Sequence, residues 1–117
     1  MATAGSKAVI QRFYEEFHNA GRSDRPHPDI LDEIMDPDFV LDNPPAHGRG
    51  QFKARVAELY AKHPDMKVGY GPMVAEGDRV AVRWTVTGKD IDLNGITISR
   101  LTHDKIVEGL SNYNSRI

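Results

Sequence analysis

Two polar side chains lie on predicted strands at positions where they could do acid–base chemistry. Asp42 ends a short apolar segment, and apolar neighbours would raise the pKa of its carboxyl towards the range of a general acid or base. Arg83 lies on an alternating strand, where a buried guanidinium could hold a carboxylate or enolate oxygen. Both residues also have a structural interpretation, Asp42 as a solvated or turn-capping carboxylate and Arg83 as a solvated or interface residue.

The last predicted strand carries polar side chains on one face. Glu108, Asn112 and Asn114 share that face, although strand interiors are usually poor in Asn. The two amides could donate hydrogen bonds to a substrate carbonyl, so Asn114 joins Asp42 and Arg83 as a predicted catalytic residue, and Glu108 and Asn112 are predicted substrate contacts. A polar outer face near the C-terminus is the structural alternative.

A Tyr and a His are separated by one helical turn near the start of the chain. Tyr14 and His18 stand at i and i+4, where side chains on a helix are neighbours. A Tyr hydroxyl beside an imidazole could form an acid–base pair, or both residues could flank the core and extend to water. We predict that both contact the substrate, together with Asn43, Tyr60 and Thr85.

Apolar residues at helical spacing predict three helices in the first half of the chain. The first helix has Ser6 as its N-cap and an apolar stripe that ends at a glycine. The second begins at a proline, carries Met35 on its buried face and stops before the next proline. With their flanking residues, the three helices cover residues 6–21, 28–37 and 48–64.

Alternating apolar residues predict strands in the second half of the chain. One further short strand, at residues 39–42, separates the second and third helices and runs into a Pro-Pro turn. The remaining predicted strands cover residues 66–75, 80–87, 96–102 and 106–113. Asn94-Gly95 is either a tight hairpin turn or a bulge within one strand. This order predicts an α+β fold, with three N-terminal helices on a strongly curved antiparallel sheet.

Composition excludes several classes of protein. The 117 residues suffice for one domain, 1–117, and the 15 basic and 17 acidic residues leave a formal net charge of −2, so neither nucleic acid nor an anionic membrane is an expected partner. The chain has no Cys, which removes disulfides, thiol catalysis and Cys-based metal sites. No two His have metal-site spacing and no apolar signal segment is present, so we predict a cytoplasmic protein without a metal.

The chain resembles the SnoaL-like branch of the nuclear transport factor 2-like superfamily. The similar segments occur in the family's order and cover nearly the whole sequence: residues 13–21 (FYEEFHNAG), 39–44 (FVLDNP), 63–65 (HPD), 76–85 (EGDRVAVRWT), 98–101 (ISRL) and 105–108 (KIVE). The resemblance implies a cone-shaped domain in which helices and a bent sheet enclose a pocket.

The resemblance also implies a class of activity. The branch includes polyketide cyclases, and sister branches include ketosteroid isomerases and enzymes like limonene-epoxide hydrolase, which act on apolar molecules by acid–base chemistry without a cofactor. However, Asn43, Thr85, Ser111 and Asn114 stand where these relatives have acids. The expected function is therefore a cofactor-free cyclase or isomerase of an apolar, ketone-bearing or polyketide-like metabolite. Alternatives are a non-catalytic binding or assembly domain and an epoxide-opening enzyme, the last supported only by Arg83.

A homodimer is the expected assembly. Val80, Val82, Trp84 and Val86 form one apolar face of a predicted strand. If the helices covered the opposite face, this strip would need a partner chain, since large apolar patches are rarely left in water.

Overall fold

A computed structural model describes residues 3–18 and 27–115 of the chain. Its helices are α1 (Thr3–Arg12), α2 (Asp29–Ile34) and α3 (Arg49–Lys62), and its strands are β1 (Met35–Asp42), β2 (Pro45–His47), β3 (Lys67–Glu76), β4 (Arg79–Gly88), β5 (Ile91–Thr102) and β6 (Lys105–Ser115). A π-helical turn (Phe13–Phe17) extends α1. None of the described helices has both the length and the apolar character to span a lipid bilayer.

The first helix differs from its prediction at the N-terminal end. α1 begins at Thr3, and Ser6 is buried inside the helix instead of capping it. After Arg12 the helix widens into the π-helical turn, where the N–H of His18 donates to the carbonyl of Phe13 at 3.1 Å. The predicted stop at Gly21 lies outside the described residues.

The second helix is shorter than predicted because its last residues belong to a strand. Met35 already has extended backbone angles, φ −126° and ψ 134°, and Pro37 lies within β1. A strand tolerates a proline where its ladder is interrupted, and the pairing of β1 with β6 shifts between Met35 and Val40. The proline therefore lies in an irregular part of β1 and does not end a helix.

The six strands form one open mixed sheet in the order β2-β1-β6-β5-β4-β3. Neighbours are antiparallel except β1 and β6, which run parallel. The prediction of an entirely antiparallel sheet is therefore wrong at this pair. The sequence analysis also missed β2, because a three-residue strand that begins with a proline has almost no alternating pattern.

Gly95 lies in the interior of β5 and belongs to neither a turn nor a bulge. It pairs with Trp84 on one side and Tyr113 on the other. A Cβ at this position would lie 2.6 Å from Cζ2 of Trp84 and 2.6 Å from the backbone oxygen of Asn112. The glycine is required because the indole packs directly over the strand backbone.

The inner face of the sheet carries the core beneath the helices. Val80 and Val82 are fully buried there and belong to the same apolar cluster as Ile10 and Phe17. The apolar strip of β4 that the sequence analysis offered to a partner chain is thus turned towards the protein's own helices. This placement corrects the argument for a dimer through that strip, and the homodimer itself stays a prediction.

Candidate functional site

A cavity of about 360 Å³ lies between the helices and the inner face of the sheet. Apolar side chains provide most of its wall, including Phe39 of β1, Phe52 of α3 and Val68 of β3. Cavities of this size that are mainly apolar with a few polar groups are typical small-molecule sites. Two groups of polar side chains on this wall are joined by hydrogen bonds or ring contacts, one near the π-helical turn and one across β4, β5 and β6. Asn43, Ser99 and charged residues of α3 line other parts of the wall.

Tyr14 is the first polar residue of the group near the π-helical turn. The residue is 5% exposed and lines the cavity, and its ring stacks against Tyr70 of β3 with centroids 5.0 Å apart and planes at 13°. Burial raises the pKa of the Tyr14 hydroxyl because the phenolate would lose its hydration. The hydroxyl therefore keeps its proton and can donate a hydrogen bond.

His18 also lines the cavity and is surrounded by aromatic rings. Its centroid lies 4.9 Å from Phe13, 4.6 Å from Phe17 and 6.0 Å from Tyr14. Burial lowers the pKa of His18 to about 3, since the imidazolium would have little solvent around it. The imidazole is therefore neutral at physiological pH, with one ring nitrogen as donor and the other as acceptor.

A tyrosine of α3 holds this imidazole. The Tyr60 hydroxyl lies 3.1 Å from Nδ1 of His18 and 3.3 Å from the backbone carbonyl of the same residue. Burial raises the pKa of Tyr60 to about 12, so its hydroxyl too is protonated. Because Nδ1 is occupied by Tyr60, Nε2 is the nitrogen of His18 left to exchange a proton with a cavity ligand.

Tyr70 supports the Tyr14 ring but does not line the cavity. Its hydroxyl donates to the Glu15 carboxylate, and this hydrogen bond is the main cause that raises the pKa of Tyr70 to about 12. Tyr70 thus offers a matched comparison for Tyr14, with the same side chain and a hydroxyl directed to another partner.

The second polar group is a chain of hydrogen bonds across β4, β5 and β6. Nε1 of Trp84 donates to Oγ1 of Thr97 at 2.8 Å, and that oxygen lies 2.8 Å from Oγ of Ser111. All three side chains line the cavity. The Tyr113 ring packs beside the indole at a centroid distance of 6.0 Å.

Asp42 and Asn43 hold the backbone of Ser111 at the end of β1. Asp42 Oδ1 accepts the N–H of Ser111 at 2.8 Å, and Nδ2 of Asn43 donates to its carbonyl at 3.4 Å. Asn43 lines the cavity, whereas Asp42 is exposed and lies outside the lining. The carboxylate of Asp42 therefore fixes a strand end, and it reaches the cavity only through Ser111.

The remaining predicted site residues lie on the outer face of the sheet. Arg83, Asn112 and Asn114 are exposed, Thr85 is half-buried, and none of the four lines the cavity. Strand alternation explains this placement: Trp84 and Thr97 point inward, so the residues beside them in the chain point outward. The preference of the sequence analysis for Arg83 inside the pocket is wrong.

Glu108 also lies outside the cavity lining. Its carboxylate accepts a hydrogen bond from Nε of Arg100 on the neighbouring strand at 3.1 Å. This cross-strand ion pair is partly exposed, so it contributes little to stability. Of the predicted substrate contacts, Tyr14 and His18 line the cavity side by side and Asn43 lines another part of its wall, whereas Tyr60 lies outside the lining and contacts His18.

Sequence reasoning missed Thr97 and the direction of Trp84. The signal was present, because Thr97, Ser99 and Ser111 interrupt the apolar side of the last two strands and the chain has a single Trp. Among the described residues that line the cavity, the charged ones all come from α3, namely Arg55, Glu58 and Lys62, and all three are exposed. Within residues 3–18 and 27–115, no three His, Asp or Glu side chains come together as a metal site.

The chain belongs to the family of SnoaL-like domains. The family model matches residues 10–109, which is most of the sequence and includes Tyr14, His18, Trp84 and Thr97 of the cavity, while Ser111 lies just beyond the matched segment. A comparison with curated protein sequences gives no match.

Solved structures share this fold at low sequence identity. A proposed SnoaL-like polyketide cyclase from Jannaschia sp. CCS1 superposes with a TM-score of 0.82 at 20% identity, over 96% of this chain and 87% of that one. IdmH, a proposed polyketide cyclase from Streptomyces antibioticus, gives 0.74 at 22% identity, over 93% and 91%. A proposed ketosteroid isomerase from Kribbella flavida gives 0.74 at 14% identity, over 98% and 82%. These similarities establish the nuclear transport factor 2-like fold.

Proposed function

We propose that the cavity is a ligand pocket and that the protein is a cofactor-free cyclase or isomerase of an apolar, ketone-bearing or polyketide-like metabolite. The observation that carries the proposal is the pair of uncharged polar side chains, Tyr14 and His18, that line a largely apolar cavity with ring centroids 6.0 Å apart. The membership of the SnoaL-like family, and the solved structures of the same fold that are named as proposed cyclases or a proposed isomerase, support the same class of reaction.

Tyr14 supplies the hydrogen-bond donor in this proposal. Enolisation or aldol addition places negative charge on a carbonyl oxygen, and a fixed donor in a water-poor site stabilises that charge strongly. The raised pKa of Tyr14 keeps its proton in place, and the stacked Tyr70 ring fixes its orientation. Tyr14 thus acts as an oxyanion donor that does not need to titrate.

His18 supplies the proton acceptor. In the tautomer with its proton on Nδ1, the imidazole donates to Tyr60, Tyr60 donates to the His18 carbonyl, and Nε2 keeps a free electron pair. Nε2 can then remove a proton from the carbon next to the polarised carbonyl and return it at another position. The low pKa of His18 keeps Nε2 unprotonated, although it also makes His18 a weak base.

Asp42, Arg83 and Asn114 do not act directly on the substrate in this proposal. Asp42 contributes as a positioning residue through its hydrogen bond to Ser111. Arg83 and Asn114 are outside the cavity lining, which also removes the one residue that favoured an epoxide-opening reaction.

A binding protein without turnover is the second candidate. Among the described residues that line the cavity, Glu58 is the single carboxylate, and it is exposed on α3. A site whose base is a weakly basic imidazole could hold a ketone without transforming it.

The test combines binding and turnover. Wild-type protein is screened by thermal shift against polycyclic ketones, steroid enones and aliphatic polyketide mimics, and each compound that binds is assayed for rearrangement or cyclisation. We expect a compound that raises the melting temperature and turns over above its solution rate, with the rate reduced at least tenfold in Tyr14→Phe and His18→Asn and unchanged in Tyr70→Phe. Binding without turnover would support the second candidate, and no binding across the panel would contradict both.

A further inference from the structure

We infer that Thr97 and Ser111 form a second hydrogen-bond-donating subsite, which recognises an oxygen acceptor on the substrate at a distance from the carbonyl held by Tyr14. The inference rests on the proposed function, because it assumes that the cavity binds an oxygen-bearing apolar ligand. It narrows the substrate class to molecules with two separated oxygen functions.

The direction of the hydrogen-bond chain gives the first reason. An indole N–H can only donate, so Trp84 must donate to Thr97. The contact between Thr97 and Ser111 then uses one of their two hydroxyl protons, whichever of them donates. The other hydroxyl proton takes no part in these hydrogen bonds. One hydroxyl donor therefore remains at the cavity wall, whichever of the two residues donates to the other.

The apolar surroundings of these hydrogen-bonded side chains give the second reason. Thr97 and Ser111 are cross-strand partners, and such pairs often serve only to join strands. Here, however, both side chains line a mainly apolar cavity, where a donor without an acceptor is costly. A ligand oxygen would satisfy the remaining proton and make use of the pair.

The three hydrogen-bonded side chains, Trp84, Thr97 and Ser111, are also held in place by their neighbours. The missing side chain of Gly95 lets the Trp84 ring pack over β5, and Tyr113 packs beside it. Asp42 and Asn43 hold the Ser111 backbone from its N–H and its carbonyl. A donor fixed in this way loses little conformational entropy when it binds a ligand.

The separation of the two polar groups sets the spacing of the two oxygens. Tyr14 packs on Tyr70 of β3, whereas Thr97 and Ser111 lie two and three strands further along the sheet. Neighbouring strands are about 4.8 Å apart, so Thr97 and Ser111 lie roughly 10–14 Å along the sheet from β3, the strand of the Tyr70 ring on which Tyr14 stacks. This distance fits a rigid polycyclic molecule that carries an oxygen at each end.

The test compares ligands that have one or two oxygens. Each ketone that binds in the screen is paired with an analogue that carries a second oxygen at the other end, such as androst-4-en-3-one and androst-4-ene-3,17-dione. Affinities are measured from Trp84 fluorescence, since the chain has one Trp and it lines the cavity. For the wild type we expect the dioxygenated member to bind about 5- to 10-fold more tightly.

The decisive variant is Trp84→Phe/Thr97→Val/Ser111→Ala, whose affinities are measured by calorimetry. Both hydroxyls must be removed, since Ser111→Ala alone frees the Thr97 proton for the ligand, and the indole must be replaced as well, since Thr97→Val frees the Trp84 N–H. We expect the triple variant to lose the 5- to 10-fold preference and to keep its affinity for the mono-oxygenated member. Thr85→Val makes the same change as Thr97→Val on the outer face and should keep the preference.

Three results would overturn the subsite. These are equal binding of both members by the wild type, a preference that survives in the triple variant, and equal weakening of both members. None of the three affects the role of Tyr14 and His18. If no compound binds the wild type at all, the proposed function fails first and the subsite fails with it.

Discussion

The Tyr60 hydroxyl lies 3.1 Å from Nδ1 of His18 and so joins α3 to the end of the π-helical turn. This contact fixes an uncharged imidazole at the cavity wall beside Tyr14. His18 and Tyr60 are 42 residues apart in the sequence, so neither position alone reveals their contact.

Acidification should destabilise the protein through His18. The pKa of His18 is about 3 in the folded protein against an ordinary value of 6.5, so between these values the unfolded chain binds the proton and the folded chain does not. The free energy of unfolding is therefore unaffected by the titration of His18 above about pH 6.5. It decreases as the pH falls below that value, by up to about 1.4 kcal/mol per pH unit. Urea unfolding of wild type and His18→Asn from pH 7.5 to 4.5 measures it.

The comparison between the two proteins isolates this residue. We expect the wild type to lose stability more steeply than His18→Asn as the pH falls from 6.5 to 5. Parallel stability curves for the two proteins would show that His18 titrates normally and is not buried as described.

Gly95→Ala should destabilise the sheet and move the indole. The new Cβ would lie 2.6 Å from Trp84 and 2.7 Å from Cβ of Tyr113, and overpacking of this kind costs about 1–3 kcal/mol. Urea unfolding should show this loss, and the emission of Trp84 should shift. Gly50→Ala is the matched control, because no atom lies within 4 Å of its Cβ and alanine favours a helix by up to about 1 kcal/mol. Equal stability of Gly95→Ala and wild type would contradict the packing of Trp84 on β5.

Replacing the Asp42 carboxylate by an amide should be tolerated, whereas truncating the side chain to a methyl group should not. In Asp42→Asn the side-chain oxygen can still accept the Ser111 N–H, whereas Asp42→Ala removes the acceptor and should cost about 1 kcal/mol. Turnover, or ligand affinity if there is no turnover, should therefore be kept in Asp42→Asn. A large loss of turnover in Asp42→Asn with unchanged stability would restore the role of a general acid or base to this carboxyl.

A homodimer is still expected, and the apolar residues exposed on the outer face offer a surface for it. Ile96 is 51% exposed, and Ile98 and Leu110, which pair across β5 and β6, are each 39% exposed. Light scattering should give twice the mass of the chain at micromolar concentration, and Ile98→Glu should lower it towards that of the monomer. A monomer mass for the wild type at every concentration would contradict the dimer.

Much of the fold could be predicted from local patterns. Alternation identified β4, because Val80 and Val82 face a core while their neighbours do not. It found only the second half of β1, residues 39–42, because a proline normally ends an element and Pro37 here occupies an irregular stretch of the strand. The parallel pairing of β1 with β6 joins residues far apart in the sequence, so no local pattern could reveal it.

The site was harder to predict than the fold. Helical spacing placed Tyr14 beside His18, but only tertiary packing brings Tyr60 of α3 to the imidazole. Alternation identified the two faces of β4 without showing which of them the helices cover. Arg83 was therefore assigned to the cavity and Trp84 to the surface, the reverse of the structure.

The most direct test of the central claim is the carbonyl stretching frequency of a bound ketone. The ketone with the largest thermal shift is labelled with ¹³C at its carbonyl, and its infrared band is recorded free in hexane and bound to wild type, Tyr14→Phe and Tyr70→Phe. Since a hydrogen-bond donor polarises the carbonyl, we expect a lower frequency on the wild type and on Tyr70→Phe and a smaller shift on Tyr14→Phe. A bound carbonyl that absorbs as it does in hexane, or whose shift survives in Tyr14→Phe, would contradict the assignment of Tyr14 as the donor at the site.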